Sequence, residues 1–223
     1  MRTGAGGPND DELNIPEGDV VINDDPDSRE YGYQAVDPRQ RAIGNPNPDF
    51  IMGWNNSFRI KDFRLGFLLD WREGGDMWNG TAWALSFFGR TPLTAETRQE
   101  TPAPIPGVLS NGQPNNINVV RDQSYWTSSL GGFGAVGEQF VQDGGWVRLR
   151  EVSLSYDIPM DKIGLNFIKS GTFSFIGRNL WYTTDYDGVD PQTSLTGTGN
   201  GQGFDYFNMP NTRSLIFKLN LNL

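Results

Sequence analysis

The stretch Arg213-Ser214-Leu215-Ile216-Phe217-Lys218-Leu219-Asn220-Leu221-Asn222-Leu223, at the end of the sequence, decides the class of fold. Its odd positions Leu215, Phe217, Leu219, Leu221 and Leu223 are all apolar, and its even positions include Ser214, Lys218, Asn220 and Asn222. Successive side chains of a strand point to opposite faces, so the stretch predicts a strand with one unbroken apolar face. Two architectures use such a strand. In a soluble sandwich the apolar face meets a second sheet and the polar face meets water. In a membrane barrel the apolar face meets lipid and the polar face lines the lumen.

Four more segments alternate in the same way. In the segment from Phe50 to Ile60, the residues Phe50, Met52, Trp54, Phe58 and Ile60 share a face that only Asn56 interrupts. From Phe63 to Trp71 the odd positions Phe63, Leu65, Phe67, Leu69 and Trp71 are apolar. From Trp146 to Tyr156 the apolar parity changes between Val147/Leu149 and Val152/Leu154/Tyr156, which predicts a bulge or a change of surroundings near Glu151. The segment from Thr172 to Tyr182 alternates less cleanly but is rich in aromatics.

The connections separate the two architectures. Lys61-Asp62 is a tight turn, and about a dozen residues (159–171) join the third and fourth segments. The second and third segments are instead separated by roughly seventy residues rich in Gly, Pro, Asn and Thr, and the fourth and fifth by a long stretch from Thr183 to Thr212. Short, long, short, long, then a terminal strand is the rhythm of an outer-membrane barrel with short periplasmic turns and long extracellular loops. The expected fold is therefore all-β: an antiparallel up-and-down sheet forming the last five or so strands of a large transmembrane β-barrel, with long extracellular loops. Five strands close no barrel, since about eight is the small limit, so the segment is expected to be part of something larger. Trp71, Trp146, Trp181 and Tyr182 fall at strand ends on the side of the long connections, where an interfacial aromatic girdle is expected. The alternative kept open is a soluble extracellular β-sandwich that binds glycans.

Composition agrees and excludes other classes. The chain has 223 residues, 13% of them aromatic, with 28 Gly and 14 Pro but no Cys and no His. Disulfides, thiolate metal sites and imidazole catalysis are excluded together. Net charge is −9. Nine acids and one base, Arg29, lie between Asp10 and Glu30, so that run carries −8 and the remainder about −1. The run reads as a solvated loop, and no basic nucleic-acid footprint is present. No stretch approaches the roughly 18 apolar residues of a membrane helix. The first residues lack the apolar core of a secretory signal, which for a barrel suggests that the front of the protein is missing.

Six blocks resemble one family. They are Ile43-Gly44-Asn45-Pro46-Asn47-Pro48-Asp49-Phe50; Gly74-Gly75-Asp76 with Asn79 and Thr81; and Trp146-Val147-Arg148-Leu149-Arg150-Glu151-Val152-Ser153-Leu154-Ser155-Tyr156-Asp157-Ile158-Pro159. Gly177-Arg178-Asn179-Leu180-Trp181, Tyr186-Asp187-Gly188-Val189-Asp190-Pro191 and the closing strand complete the set. In this order they resemble the C-terminal barrel portion of SusC/RagA-like TonB-dependent outer-membrane transporters. Two positions depart from the family pattern: Gln192 stands where Glu is usual, and Leu223 where the family often ends in an aromatic. The resemblance implies uptake of oligosaccharides or peptides, with a SusD-like surface lipoprotein as lid. It also implies outer-membrane lipid around the barrel, and TonB acting through a plug that this sequence lacks. On that reading residues 1–42 are an acidic loop or an incomplete upstream strand region, and residues 43–223 are the barrel segment. The segment alone is not expected to transport.

Chemical motifs are weighed against plainer readings. Asp185, Asp187 and Asp190 around Gly188 suit a calcium loop but lack its closing bidentate Glu, so the cluster reads as a loop held by Asx turns. Gly197, Gly199, Gly201 and Gly203 have neither the preceding strand nor the following helix and Lys of a phosphate loop. Glu73/Asp76 and Glu96/Glu100 are carboxylate pairs without a visible pocket, and the second pair reads as a solvated helical turn. No catalytic residue, cofactor or metal is expected. The segment 76–88 is expected to form a short helix or folded loop. Trp78, Trp83, Tyr186 and Asp190 are the candidates for contact with a ligand or a lid.

Overall fold

The computed structural model describes residues 20–37, 42–98, 100–128, 133, 137–164, 167–196, 199 and 201–223. Among them, in chain order, lie strands β1 (Phe50–Ile60), β2 (Phe63–Glu73), β3 (Asp76–Asn79), β4 (Ala103–Pro104) and β5 (Asn118–Val119). Then follow β6 (Val141–Asp143), β7 (Trp146–Ile158), β8 (Ser170–Thr183), β9 (Phe204–Asp205) and β10 (Ser214–Asn222). Three short helices, α1 (Gly80–Phe87), α2 (Pro92–Thr97) and α3 (Gln123–Trp126), occupy the long connection between β2 and β7. The five long strands are those the alternation predicts, within two residues at each end. No helix among the described residues is long and apolar enough to cross a membrane.

The long strands form one antiparallel sheet in the order β1-β2-β7-β8-β10. Register shows why the sequence parity changes. Phe67 pairs with Val152, but the register shifts at Leu68/Leu69, so that Leu69 pairs with Leu149 and Trp71 with Val147. The extra residue is Arg150. A bulge puts two successive side chains on one side. Arg150 and Glu151 both reach partners on the polar face, and the apolar face continues unbroken across the shift. β8 answers with its own irregularity, where Asn179 takes a left-handed φ of 51°. Asparagine tolerates that region better than most residues, which gives the Asn of the Gly177–Trp181 block a backbone reason.

The same holds for the first two blocks. Gly74 and Gly75 both have positive φ, and a Cβ on Gly75 would collide with the Pro46 carbonyl and the Arg72 guanidinium. Arg72 Nη2 donates to Pro46 O at 2.8 Å, and the Asp49 amide donates to Glu73 O at 2.9 Å. The Gly-Gly pair thus lets the chain that leads into β1 lie against the end of β2.

The chain divides into two compact units. The sheet unit comprises Pro46–Asp76, Asp143–Thr193 and Met209–Leu223. The second unit comprises Met1–Asn45, Met77–Gln142 and Ser194–Asn208. Its core is Tyr33, Tyr125, Trp126 and Phe140, with Trp78, Trp83 and Val119 packed at its margin. The rings of Tyr33 and Tyr125 meet edge to face at 5.1 Å. A small sheet β6-β3-β9 and the pair β4-β5 add to it. The long β2–β7 connection, expected as loop, is therefore largely folded. Apolar side chains spaced without period two or 3.6 give no strand or helix signal, yet they cluster once distant segments meet. The expected helix at 76–88 is α1, capped by Asn79, whose side chain accepts from the Ala82 amide at 2.9 Å. In α2, Thr91 and Thr94 form a reciprocal capping box with Pro92 at the first turn.

Most of the acidic run, Asp10 to Asp19, lies outside the described residues, as do Gly197 and several of its neighbours. The described remainder of the run is a loop in which Asp25 and Asp27 amides bond to Asn23 and Asp25 side chains. Asp24 accepts from both the amide and hydroxyl of Ser110.

Candidate functional site

The two faces of the sheet differ in chemistry. One carries Met52, Trp54, Phe58 and Ile60 of β1, Phe63 and Leu65 of β2, Leu154 of β7, Phe173 of β8 and Leu215, Phe217, Leu219 and Leu221 of β10. All of these are exposed, Phe217 by 70% and Ile60 by 71%. Such a contiguous apolar surface far exceeds what soluble monomers leave in water. Cross-strand ring pairs run along it, among them Phe50–Trp71, Trp54–Phe67, Phe63–Tyr156 and Phe175–Phe217.

The opposite face is polar and cross-linked. Near the β1–β2 turn, Arg59 and Arg64 both donate to Asp157 Oδ2 at 3.2 Å, and Thr172 donates to Oδ1 at 3.0 Å. Further along, Ser155 and Ser174 hydroxyls meet at 2.9 Å, and Arg178 Nε donates to Glu151 Oε2 at 2.9 Å. Arg150 Nε donates to Asp70 Oδ2 at 2.7 Å. Asn55, Ser57, Arg64, Gly66, Glu151, Ser153 and Ser155 line a shallow hollow of about 220 Å³ on this face.

At the far end lies a feature the sequence reading missed. Arg148 and Asp190 are 1% and 2% exposed, and Arg148 Nη2 donates to Asp190 Oδ1 at 2.7 Å. Asp190 also accepts from the Gln192 amide at 2.9 Å and from Asn211 Nδ2 at 3.0 Å. The Arg148 guanidinium carbon lies 5.3 Å from the Trp146 ring and 4.8 Å from the Tyr182 ring, so aromatic faces supply part of the stabilisation that lost water would have given. This pair ties β7 to the segment after β8 and to the segment before β10. Gln192 accepts from Arg150 Nη1 at 3.1 Å and from Asn211 at 3.3 Å, so a neutral amide serves where the family pattern has Glu.

These contacts revise several expectations. Trp71 and Trp181 stand on the apolar face, but Trp146 pairs opposite Arg72 and Tyr182 opposite Arg148, both on the polar face. Of the four residues expected in a girdle, only Trp71 and Trp181 therefore share the apolar face, because the bulges shift parity near the strand ends. Tyr186 and Asp190 are buried and hold the loop together; they are not exposed for a ligand or a lid. The Asp190 carboxylate is already engaged by Arg148, Asn211 and Gln192, which accounts for it without a cation. Trp78 and Trp83 do come together, rings 5.3 Å apart, at the margin of the second unit's core.

In that second unit, Glu100 pairs with Arg121 through two contacts, Nε to Oε2 at 3.0 Å and Nη2 to Oε1. The hydrogen bond from Arg121 holds the Glu100 carboxyl below its ordinary value against the opposing effect of burial, and the positive charge of Arg121 adds to the lowering. Glu96 lies in α2, and Glu100 lies beyond the end of that helix, in this ion pair. Burial raises Tyr125, which donates to Gln34 Oε1 at 3.1 Å.

No family model matches the chain. It is 27% identical over 226 residues to TonB-dependent receptor P3 of Formosa agariphila, a match covering 93% of this chain and 20% of that relative. It is 28% identical over 184 residues to TonB-dependent receptor P26 of the same organism, covering 81% and 17%. The chain spans about a fifth of the length of the curated relatives it matches. Among solved structures it resembles that of the RagAB peptide importer in the closed-closed state, with a TM-score of 0.51 at 15% identity over 93% of this chain and 22% of that one. For the open-open state the TM-score is 0.50 at 16% identity, over 79% and 17%.

Proposed function

From the premise that this chain is homologous to TonB-dependent receptors over most of its length, we propose that residues 43–223 are a wall segment of an outer-membrane β-barrel transporter. Its apolar face meets lipid and its cross-linked polar face lines the lumen. The observation that carries the reading is the contrast between those faces, one exposing a continuous run of large apolar side chains and the other ionic. In a soluble sandwich that run would be covered. Trp71 and Trp181 anchor the sheet at the headgroup level. The edges of β1 and β10 pair with further strands, because unpaired backbone groups are costly in hydrocarbon. The cargo is a large nutrient, oligosaccharide or peptide. A SusD-like lipoprotein caps the extracellular side, and TonB acts through parts of the receptor other than this segment. The long connections belong to the extracellular side.

Antibody raised to this chain tests the proposal on fractionated source cells. The expected result is an outer-membrane band several times longer than 223 residues that migrates faster unboiled than boiled. A soluble band of this chain's own length would overturn it and favour the glycan-binding sandwich.

A further inference from the structure

The register of the sheet places one row of side chains across the whole polar face near the short turns. Arg59 lies opposite Arg64, Arg64 opposite Ser155, Ser155 opposite Ser174, and Ser174 opposite Lys218. Neighbouring strands are about 4.8 Å apart, so the row is about 19 Å wide. It holds three cations and no acid. Arg59 and Arg64 face each other directly, an arrangement that costs stability between like charges. They share one carboxylate from the next row, Asp157, which Thr172 also engages. Lys218 is exposed and enters no ion pair among the described residues. Further along the same face, Arg150, Arg178 and Arg148 each have a carboxylate of their own, and Arg72 is bonded to the Pro46 carbonyl. In the turns beyond the row, Lys61 stands next to Asp62 and Lys162 next to Asp161, and Lys169 Nζ donates to Leu223 O at 3.0 Å. Positive charge is therefore concentrated in the row, although the chain as a whole carries −9.

The hollow of about 220 Å³ opens beside this row, with Arg64 and Ser155 in its lining. Gly66 makes the room, since a Cβ there would stand 2.8 Å from Ser153 Oγ. Around it, the side chains of Asn55, Ser57 and Ser153 bond to nothing among the described residues. Glu151, the one carboxylate of the lining, accepts from Arg178. The bond between Ser155 and Ser174 uses only one of their two hydroxyl protons. Neutral donors and acceptors without partners suit sugar hydroxyls, and the cations suit carboxylates. An acidic peptide would meet the cations but offers fewer hydroxyls to the hollow.

We propose that the row and its hollow form an anion-selective site on the lumen wall for an acidic oligosaccharide. The sugar chain lies along the row, its carboxylates on Arg64 and Lys218 and the hydroxyls of one ring in the hollow. The site rests on the barrel reading, which cell fractionation tests separately. The chain has no cysteine, so Ser153→Cys places a reporter thiol beside the row. In the whole detergent-extracted receptor, an anionic methanethiosulfonate should label that thiol on the order of tenfold faster than a cationic one. Each rate is taken relative to free 2-mercaptoethanol, with the parent protein as background. Arg64→Gln and Lys218→Gln should each shrink the preference, and about 0.5 M salt should nearly abolish it. Lys162→Gln, the same charge change outside the row, should leave it intact. Trigalacturonate should protect the thiol, and its methyl ester several-fold less. No charge preference, or one unchanged by both Arg64→Gln and Lys218→Gln, would overturn the site. Labelling only after denaturation would overturn it too, because another part of the receptor would then cover the row. Equal protection by acid and ester, or by neither, would overturn the anion assignment, and stronger protection by triglutamate would overturn the saccharide.

Discussion

The sheet and the second unit solve burial in opposite directions. The sheet sends its large apolar residues outward and its charges to the other face, where they pair: Arg148 with Asp190, Arg150 with Asp70, Arg178 with Glu151. The second unit does what soluble domains do, gathering Tyr33, Tyr125, Trp126 and Phe140 inside. The lesson is that exposure of an apolar side chain has different meanings in the two regions. On the sheet, under the proposed function, it marks contact with an apolar medium. In the second unit it is ordinary surface, which soluble proteins carry in quantity.

The largest expected effect tests the inside-out sheet at its buried charge pair, Arg148 with Asp190. Arg148→Met leaves Asp190 buried without its cation and should cost roughly 3–5 kcal/mol. The measurement is the temperature at which the fast-migrating folded band is lost, and Arg148→Met with Asp190→Leu should recover most of it. Unchanged melting of the single variant would mean the pair holds nothing together.

Next comes the apolar face itself. Phe217→Arg, in the middle of β10, should destabilise the membrane-inserted protein by roughly 2–4 kcal/mol. Leu93→Ser in α2, at a side chain that is likewise exposed (45%), should change stability by no more than about 0.5 kcal/mol. Equal, small effects at both positions would erase the comparison. A smaller effect is expected at the β8 irregularity. Asn179→Ala places a side chain that favours negative φ at 51° and should cost about 1 kcal/mol, whereas Asn179→Gly should be close to neutral. A deficit shared by both variants would trace instead to the lost bond from Asn179 Nδ2 to Thr212 O.

The smallest effect is acid sensitivity in the second unit. Because the folded Glu100 carboxyl sits below its ordinary 4.5, its stabilisation is present above that pH and is lost as pH falls through the lower folded value. The pair is largely exposed, so the contribution is below about 1 kcal/mol. Protease nicking of the Glu100 to Arg121 region should rise below pH 4.5 in the parent protein, and Glu100→Gln should flatten that rise. A parallel rise in both proteins would assign the sensitivity elsewhere.

Much of the sheet was legible because strand alternation is local: Leu215 to Leu223 and Phe63 to Trp71 declare their faces one residue at a time. Even the bulge was legible, since Leu149 and Val152 cannot share a face without an extra residue between them. The Arg148–Asp190 pair was not, because the partners are 42 positions apart and each reads alone as a surface charge. The aromatic core of the second unit was equally hidden, with Tyr33 and Tyr125 separated by most of a hundred residues that include β1 and β2. Trp146 shows the limit between these cases. Its position at a strand end was readable, but the polar face it occupies depends on where the bulge falls.

The sequence by itself determined the mostly-β class, the five long strands, the apolar side of four of them and the order of short and long connections. Those follow from side-chain period and turn chemistry, which neighbouring residues set. Only the tertiary structure decided that the β2–β7 connection folds around an aromatic core and that Asp190 is a buried anchor. Each of these depends on residues distant in sequence meeting in space, and no local pattern records which distant charge or ring will be the partner.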